Sequence, residues 1–375
     1  MTIDEASRLT GLLVERLRSL VRRKLIPYRG GQVDPVFSMA SLTRFRTSPM
    51  TNGSAQPPRA NRRTPADRTI GRPFAFDRVV KGHVLDVVKS IPTNSVQAVV
   101  TSPPFWGQRV YEDEKSVHWQ DGSLAPFGRE ATPEAYVLHT LEILASLARI
   151  LKPTGTIWWN LGDSYMTRAI ARTSSRDRIE HYAGKRTTWA TSPFRRYSSG
   201  HAYLKDKDLT LIPFQVAIGA QHLGYWVRSV IVWSKQHNGP GETEALGSRA
   251  HVPEVVTDRP VVGHEYILLL ARSQLYDYDG TRAGETDGDG TAINVRSVWN
   301  FKPVGKGGEH GARFPEQLPR RCIQLSTRRG QLVFDPFAGD GNTLVAAKRL
   351  GRRFFGCDIS RTYVAAARQR LALDD

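Results

Sequence analysis

Short apolar runs recur along the second four-fifths of the chain, separated by longer stretches with helical spacing. Seven of them read as strands: 77–81, 96–101 (VQAVVT), 155–160 (GTIWWN), 226–233 (WVRSVIVW), 265–271 (EYILLLA), 331–335 (QLVFD) and 353–358 (RFFGCD). Between them, apolar residues three and four apart predict helices. The clearest covers 133–151, where Pro133 suits a first turn, a Tyr136/Leu138/Leu141/Leu144/Leu147/Leu151 stripe follows, and Lys152-Pro153 stops it. Others are predicted over 208–223, 315–327, 343–350 and 360–372. Strands alternating with helices predict an α/β fold: a mostly parallel seven-stranded sheet with helices on both faces. Residues 272–309, rich in Gly and Asp and close to neutral, read as loop.

The first 75 residues depart from this alternation. Ile3, Leu9, Leu13, Leu17 and Leu20 fall on one face, with Arg16, Arg18, Arg22, Arg23 and Lys24 toward the end, so residues 1–26 read as an amphipathic helix with cations in its last turns. Residues 27–75 are rich in Pro, Arg, Ser, Asn and Thr without periodicity and read as a disordered basic linker. The ordered domain is therefore expected over 76–375.

Charge adds a partner. The 375 residues carry 53 Lys and Arg against 36 Asp and Glu, a net charge of +17. That excess suits a polyanion, with nucleic acid first among the candidates. Residues 1–75 hold fourteen Lys and Arg against five Asp and Glu, more than half of the excess, and serve either as a solvated tail or as an arm on DNA. A second basic stretch, 165–207, is too long and polar for a routine connection. It interleaves Tyr, Trp and Phe with arginines that include Arg168, Arg172, Arg186, Arg195 and Arg196, a composition suited to phosphates and stacked bases. No apolar stretch approaches the 18 residues of a membrane span. The polar N-terminus and only two cysteines, Cys322 and Cys357, suit a reducing cytoplasm, and no metal site is expected.

Two turns carry candidate chemistry. Strand 331–335 ends in Asp335 and runs through Pro336, Phe337, Gly339, Asp340, Gly341 and Asn342 into a helix opening at Thr343. A glycine turn at the carboxyl end of a parallel strand makes a nucleotide-type binding edge, but Asp335 and Asp340 would repel a pyrophosphate and the G-x-G-x-x-G spacing is absent. A cofactor with an amino group and a sulfonium fits better, which points to S-adenosylmethionine. Asp358, ending the next strand, is placed to grip ribose hydroxyls. The second turn is TSPPFW, Thr101–Trp106, after strand 96–101. Pro103 and Pro104 remove two N–H donors and fix φ, so the turn offers carbonyl acceptors together with the Ser102 hydroxyl and the Phe105 ring. Acceptors without competing donors suit an exocyclic amine of a flipped base, whose lone pair can then meet an electrophilic methyl. The two cysteines lack the Pro-Cys setting used to attack cytosine C6, which disfavours covalent C5 chemistry.

Together these motifs resemble a family. TSPPFW, LARILKPTGTIWWNLGDSY, WVRSVIVWSK, HEYILLLARS, HGARFPEQL and FDPFAGDGNT followed by FFGCDIS occur in the order of the beta class of amino-methylating DNA methyltransferases, across roughly 77–372. The resemblance implies a Rossmann-like methyltransferase fold with circularly permuted motifs and S-adenosylmethionine as cofactor. It implies a catalytic tetrad at Ser102, Pro103, Pro104 and Phe105. It places Asp335, Phe337, Gly339, Gly341 and Thr343 at the methionine-binding turn, Asp358 on the ribose, and Phe314 and Pro315, in the H-x4-P segment from His310, over the methionine. Lys235 and Asn238 resemble a loop near the target base.

Three features depart from the pattern. Gly82-His83 stands where the family has Gly-Asp or Gly-Asn, so the adenine contact would fall to His83. The glycine turn reads Gly-Asp-Gly-Asn-Thr. The region before the H-x4-P segment is short, so recognition is assigned chiefly to 165–207. A Ser-led tetrad is associated by resemblance with cytosine N4; adenine N6 is the alternative, and a DNA-binding relative without activity a further one. Double-stranded DNA is the implied partner, with a cognate restriction endonuclease and a second copy of the chain as further candidates. Trp158 and Trp159 read as core, and His264-Glu265, without a ligand partner four residues on, reads as structural.

Overall fold

The computed structural model describes residues 74–108, 113–167, 198, 201–235, 257–302 and 314–374, all within a unit spanning Phe74–Asp375. The predicted N-terminal helix, most of the linker, Arg168, Arg172, Arg186, Arg195, Arg196, Asn238 and His310 lie outside the described residues.

All seven expected strands are present, as β1 (Arg78–Lys81), β2 (Val96–Thr101), β5 (Leu151–Leu161), β6 (Trp226–Ser234), β7 (His264–Ala271), β9 (Leu332–Asp335) and β10 (Arg353–Asp358). They form one sheet in the order β1-β10-β9-β2-β5-β7-β6-β8, where β8 (Val298–Asn300) is an eighth, edge strand. β7 alone runs against the others, antiparallel to β5 and β6. The loop expected over 272–309 is therefore corrected. Three residues of it pair with β6, and Trp299 buries its ring 6.0 Å from that of Trp158. A three-residue strand is too short to show a period of two.

The helices are α1 (Val84–Ser90), α2 (Pro133–Ala148), α3 (Ile212–His222), α4 (Gln317–Ser326), α5 (Asn342–Arg349) and α6 (Arg361–Leu373). Thr132 caps α2, its hydroxyl accepting from Ala135 N–H at 3.2 Å. That helix ends at Ala148, and the chain enters β5 at Leu151, earlier than expected. Alternation along the strands sorts side chains onto two cores. Val99, Ile157, Trp159, Leu161, Phe334 and Phe355 pack with α1, α2 and α3. Ala98, Val100, Trp158, Val333 and Phe354 pack with α4, α5 and α6 on the other face. Trp158 and Trp159 are both buried core residues. A small antiparallel hairpin, β3 (Val117–His118) with β4 (Leu124–Ala125), leads back toward α2. No helix among the described residues is long and apolar enough to cross a membrane.

The order of strands reverses between β9 and β2, which are adjacent and parallel although far apart in the chain. In an open α/β sheet the crevice at such a switch point, beyond the carboxyl ends of the strands, is where ligands bind. The glycine turn leaves β9 there, and TSPPFW leaves β2.

Candidate active site

The two turns are joined at their roots. Thr101, the last residue of β2, donates its hydroxyl to Asp335 Oδ1 at 2.6 Å, and the Phe337 amide donates to the same oxygen at 3.0 Å. Asp335 is 1% exposed, and burial pushes its carboxyl up to about 6, with the neighbouring Asp358 charge acting in the same direction. Asp335 thus shapes the turn from beneath. Asp340, the other acid expected to give the turn its charge, is engaged by Arg370 of α6 at 2.8 Å. Of the two acids expected to disfavour a pyrophosphate, one is buried beneath the turn and the other is paired with a cation.

The rest of the turn is a set of backbone donors around Asp358. Its Oδ2 accepts from Gly339 N–H and its Oδ1 from Ser360 N–H, both at 2.9 Å. Each oxygen keeps acceptor capacity for a ribose hydroxyl. Burial pushes this carboxyl upward too. Gly341, at φ 89°, brings the chain onto α6, where a Cβ would stand 3.0 Å from the Ala367 Cβ. Asn342 donates its side-chain amide to the Phe314 carbonyl at 2.8 Å, which brings Phe314 and Pro315 to the turn. Thr343 is buried with its hydroxyl 3.4 Å from the Val100 carbonyl, and the Pro336 carbonyl faces the Cys357 thiol at 3.4 Å.

His83 caps α1, its Nδ1 accepting from Leu85 N–H at 3.4 Å. Burial lowers its pKa, so the neutral ring carries its proton on Nε2, which is buried without a partner. The ring lines a cavity of about 870 Å³ together with Gly82 and with Ile359, the residue after Asp358. Neither Ser102–Phe105 nor Asp358 lines it; the cavity lies along α1 and the start of β3, and meets the site only at His83 and Ile359. An orphan N–H donor, on the residue after Gly82, whose amide donates to the Asp358 carbonyl, suits a purine ring nitrogen. The acceptors and donors present fit a cofactor that carries a diol and a purine.

The second turn is held from outside, because its two prolines remove two of its backbone donors. The Tyr136 hydroxyl donates to the Pro104 carbonyl at 2.8 Å, and Gly107 N–H donates to the Gly128 carbonyl at 2.8 Å. Gly128 lies against Pro104 and Gly162 against the Phe105 ring, so closely that a Cβ at either would come within 2.9 Å. Trp106, directly after the turn, supports the loop: it is 2% exposed and donates to the Glu130 carbonyl at 2.9 Å. An aromatic row links the turns, with Phe337 stacked on Phe127 at 5.5 Å and Phe127 on Tyr136 at 5.0 Å.

Ser102 has a partner that the sequence did not reveal. Asn160, near the end of β5, donates its amide nitrogen to Ser102 Oγ at 3.1 Å and to Glu265 Oε2 at 2.7 Å. Glu265 in turn forms an ion pair with Lys235. Glu265 thus pairs with two side chains, Asn160 and Lys235, whereas His264 meets the Tyr266 hydroxyl at 2.9 Å. Lys235 is in the site, but through Glu265. Asn160 and Glu265 lie on strands whose apolar alternation hid them; the signal was a polar residue where the core pattern requires an apolar one.

A mostly parallel sheet with one reversed strand, a glycine turn leaving β9 and a proline turn leaving the adjacent β2 give the architecture of a Rossmann-like methyltransferase. The family model described as DNA methylase (N6_N4_Mtase) matches residues 96–369, and the chain belongs to that family. It is 33% identical over 291 residues to the type II methyltransferase M.XycI of Xanthomonas campestris pv. cyanopsidis, covering 78% of this chain and 86% of that protein. It is 32% identical over 298 residues to type II methyltransferase M.Cfr9I of Citrobacter freundii, covering 79% and 87%. Among solved structures, the cytosine-N4-specific PvuII DNA methyltransferase shares the fold at TM-score 0.52 and 18% identity, over 79% of this chain and 90% of that one.

Proposed function

We propose that this DNA methyltransferase transfers a methyl group from S-adenosylmethionine to the exocyclic N4 of cytosine in double-stranded DNA, acting on a base turned out of the helix. The observation that carries the reading is Ser102 Oγ, set at the carboxyl end of β2 and locked to the cofactor turn through Thr101 and Asp335. The cofactor, when bound, supplies an electrophilic methyl on a sulfonium. Asp358, His83, Asn342 and the Gly339–Gly341 turn hold it, with Phe314 and Pro315 covering the methionine end.

Ser102 Oγ and the Pro103 carbonyl accept the two amine hydrogens, which directs the nitrogen lone pair toward the methyl. The Tyr136 bond engages the Pro104 carbonyl and keeps the turn rigid. The amine becomes acidic as the new N–C bond forms and loses a proton to Ser102 or water, so no strong base is required. Phe105, backed by Gly162, stacks on the extruded base. The Ser-led tetrad favours cytosine over adenine. Arg168, Arg172, Arg186, Arg195, Arg196 and Asn238 are assigned to DNA contacts, with the basic residues 1–75 as an arm. A bacterial cytoplasm, a cognate restriction endonuclease and a second copy of the chain are the setting and partners proposed from its type II relatives.

The test is nucleoside mass spectrometry of DNA from a methylation-free bacterial host expressing the chain or Ser102→Ala. N4-methylcytosine that disappears in the variant is expected. N6-methyladenine would overturn the base assignment and keep the mechanism, and absence of both from cells holding soluble protein would sink the reading.

A further inference from the structure

The Lys235–Glu265–Asn160 chain has a direction. A carboxylate paired with an ammonium accepts hydrogen bonds and donates none. Glu265 therefore requires the nitrogen end of the Asn160 amide, which approaches to 2.7 Å. The second hydrogen of that nitrogen is then the one that meets Ser102 Oγ. Asn160 is 1% exposed, and in this orientation its carbonyl oxygen is buried with no partner. Turning the amide over would press that oxygen on the Glu265 carboxylate, a worse arrangement. An unpaired buried carbonyl is costly to keep. It is retained where both N–H groups are committed.

Resting on the proposed role of Ser102, we infer that Glu265 is a positioning residue which, acting through Asn160, fixes Ser102 as an acceptor. With one Oγ lone pair taken by Asn160 N–H, the hydroxyl is oriented and the other lone pair faces the incoming amine. The amide nitrogen is not basic, so Asn160 orients Ser102 without receiving its proton. Lys235 holds Glu265 in place through their ion pair and so serves the tetrad in addition to any contact with DNA.

The experiment compares wild type with Glu265→Gln, Asn160→Ala, Lys235→Gln and the exchange Asn160→Asp/Glu265→Gln. Methyl transfer from tritiated S-adenosylmethionine to unmethylated duplex DNA gives kcat and KM, and calorimetry gives cofactor affinity. Glu265→Gln and Asn160→Ala are each expected to lower kcat at least about tenfold, the value of a hydrogen bond to a charged group, with KM for DNA and cofactor affinity within about twofold. Lys235→Gln, at a half-buried position, acts in the same direction and covers the case in which a core variant misfolds. The exchange restores a donor–acceptor pair between 160 and 265 but presents Ser102 with an acceptor, so kcat stays low while thermal stability recovers. Recovery of kcat in the exchange would overturn the inference, because contact and not direction would then matter. An effect confined to KM for DNA would overturn it as well, by assigning the pair to DNA contact. If Ser102→Ala in the same assay keeps full kcat, the fault lies with the proposed function itself; if it is inactive while Glu265→Gln is silent, only the positioning role fails.

Discussion

The two turns at the switch point hold their shapes by opposite means. The cofactor turn, Asp335–Thr343, is rich in backbone donors and carries the acceptors that bind them within thirty residues: Asp335 takes Phe337 N–H, and Asp358 takes Gly339 N–H. The tetrad turn, Ser102–Phe105, loses two donors to proline and borrows support from three other segments, through Gly128, Tyr136 and the Asn160–Gly162 stretch where β5 ends. A donor-rich turn can be closed by neighbours in sequence. A turn short of donors is clamped by other elements, and its accuracy is a tertiary property.

The sharpest way to break this contrast is Asp335→Ala. It leaves the buried Thr101 hydroxyl without its acceptor, at about 1–3 kcal/mol, frees the half-buried Phe337 amide, and should weaken S-adenosylmethionine binding by roughly a hundredfold in calorimetry. Undiminished affinity would show that the cofactor turn does not depend on its internal acceptor. Gly162→Ala strikes the other turn alone: a Cβ would meet the Phe105 ring at 2.9 Å and push it from the stacking position. We expect kcat down about tenfold with cofactor affinity unchanged, consistent with the sensitivity of methyl transfer to misplacement of about 1 Å.

Tyr136→Phe removes a single donor to the Pro104 carbonyl from a fully buried site. It should cost about 1 kcal/mol in denaturant unfolding and reduce kcat a few-fold. The smallest effect is that of pH. Asp335 titrates near 6 in the folded protein, above its ordinary range. Its protonated form therefore contributes stability at low pH, and that contribution is lost as pH rises from about 4 through about 6. Affinity for a cationic cofactor moves the other way, weakening as pH falls below about 6. Asp335→Asn should flatten both slopes, in thermal unfolding and in calorimetry.

Much of this was legible because local chemistry carried it. The seven strands, the Asp335 and Asp358 strand ends and the proline turn follow from period-two alternation and from residues with special backbone demands, which act within a few positions. Strand β8 and helix α1 were missed because three and seven residues hold too little pattern. Asp340 was misjudged because its charge is answered by Arg370, on a helix thirty residues away.

The amino-acid sequence by itself determined the alternating α/β order, the two turns and the acids at the strand ends, because periodicity, proline and glycine act on the chain locally. The tertiary structure decided which acids are buried, paired or available, and which end of an amide faces Ser102. Those outcomes depend on desolvation and on hydrogen bonds between β2, β5, β7 and β9, whose meeting in one sheet only the folded chain brings about.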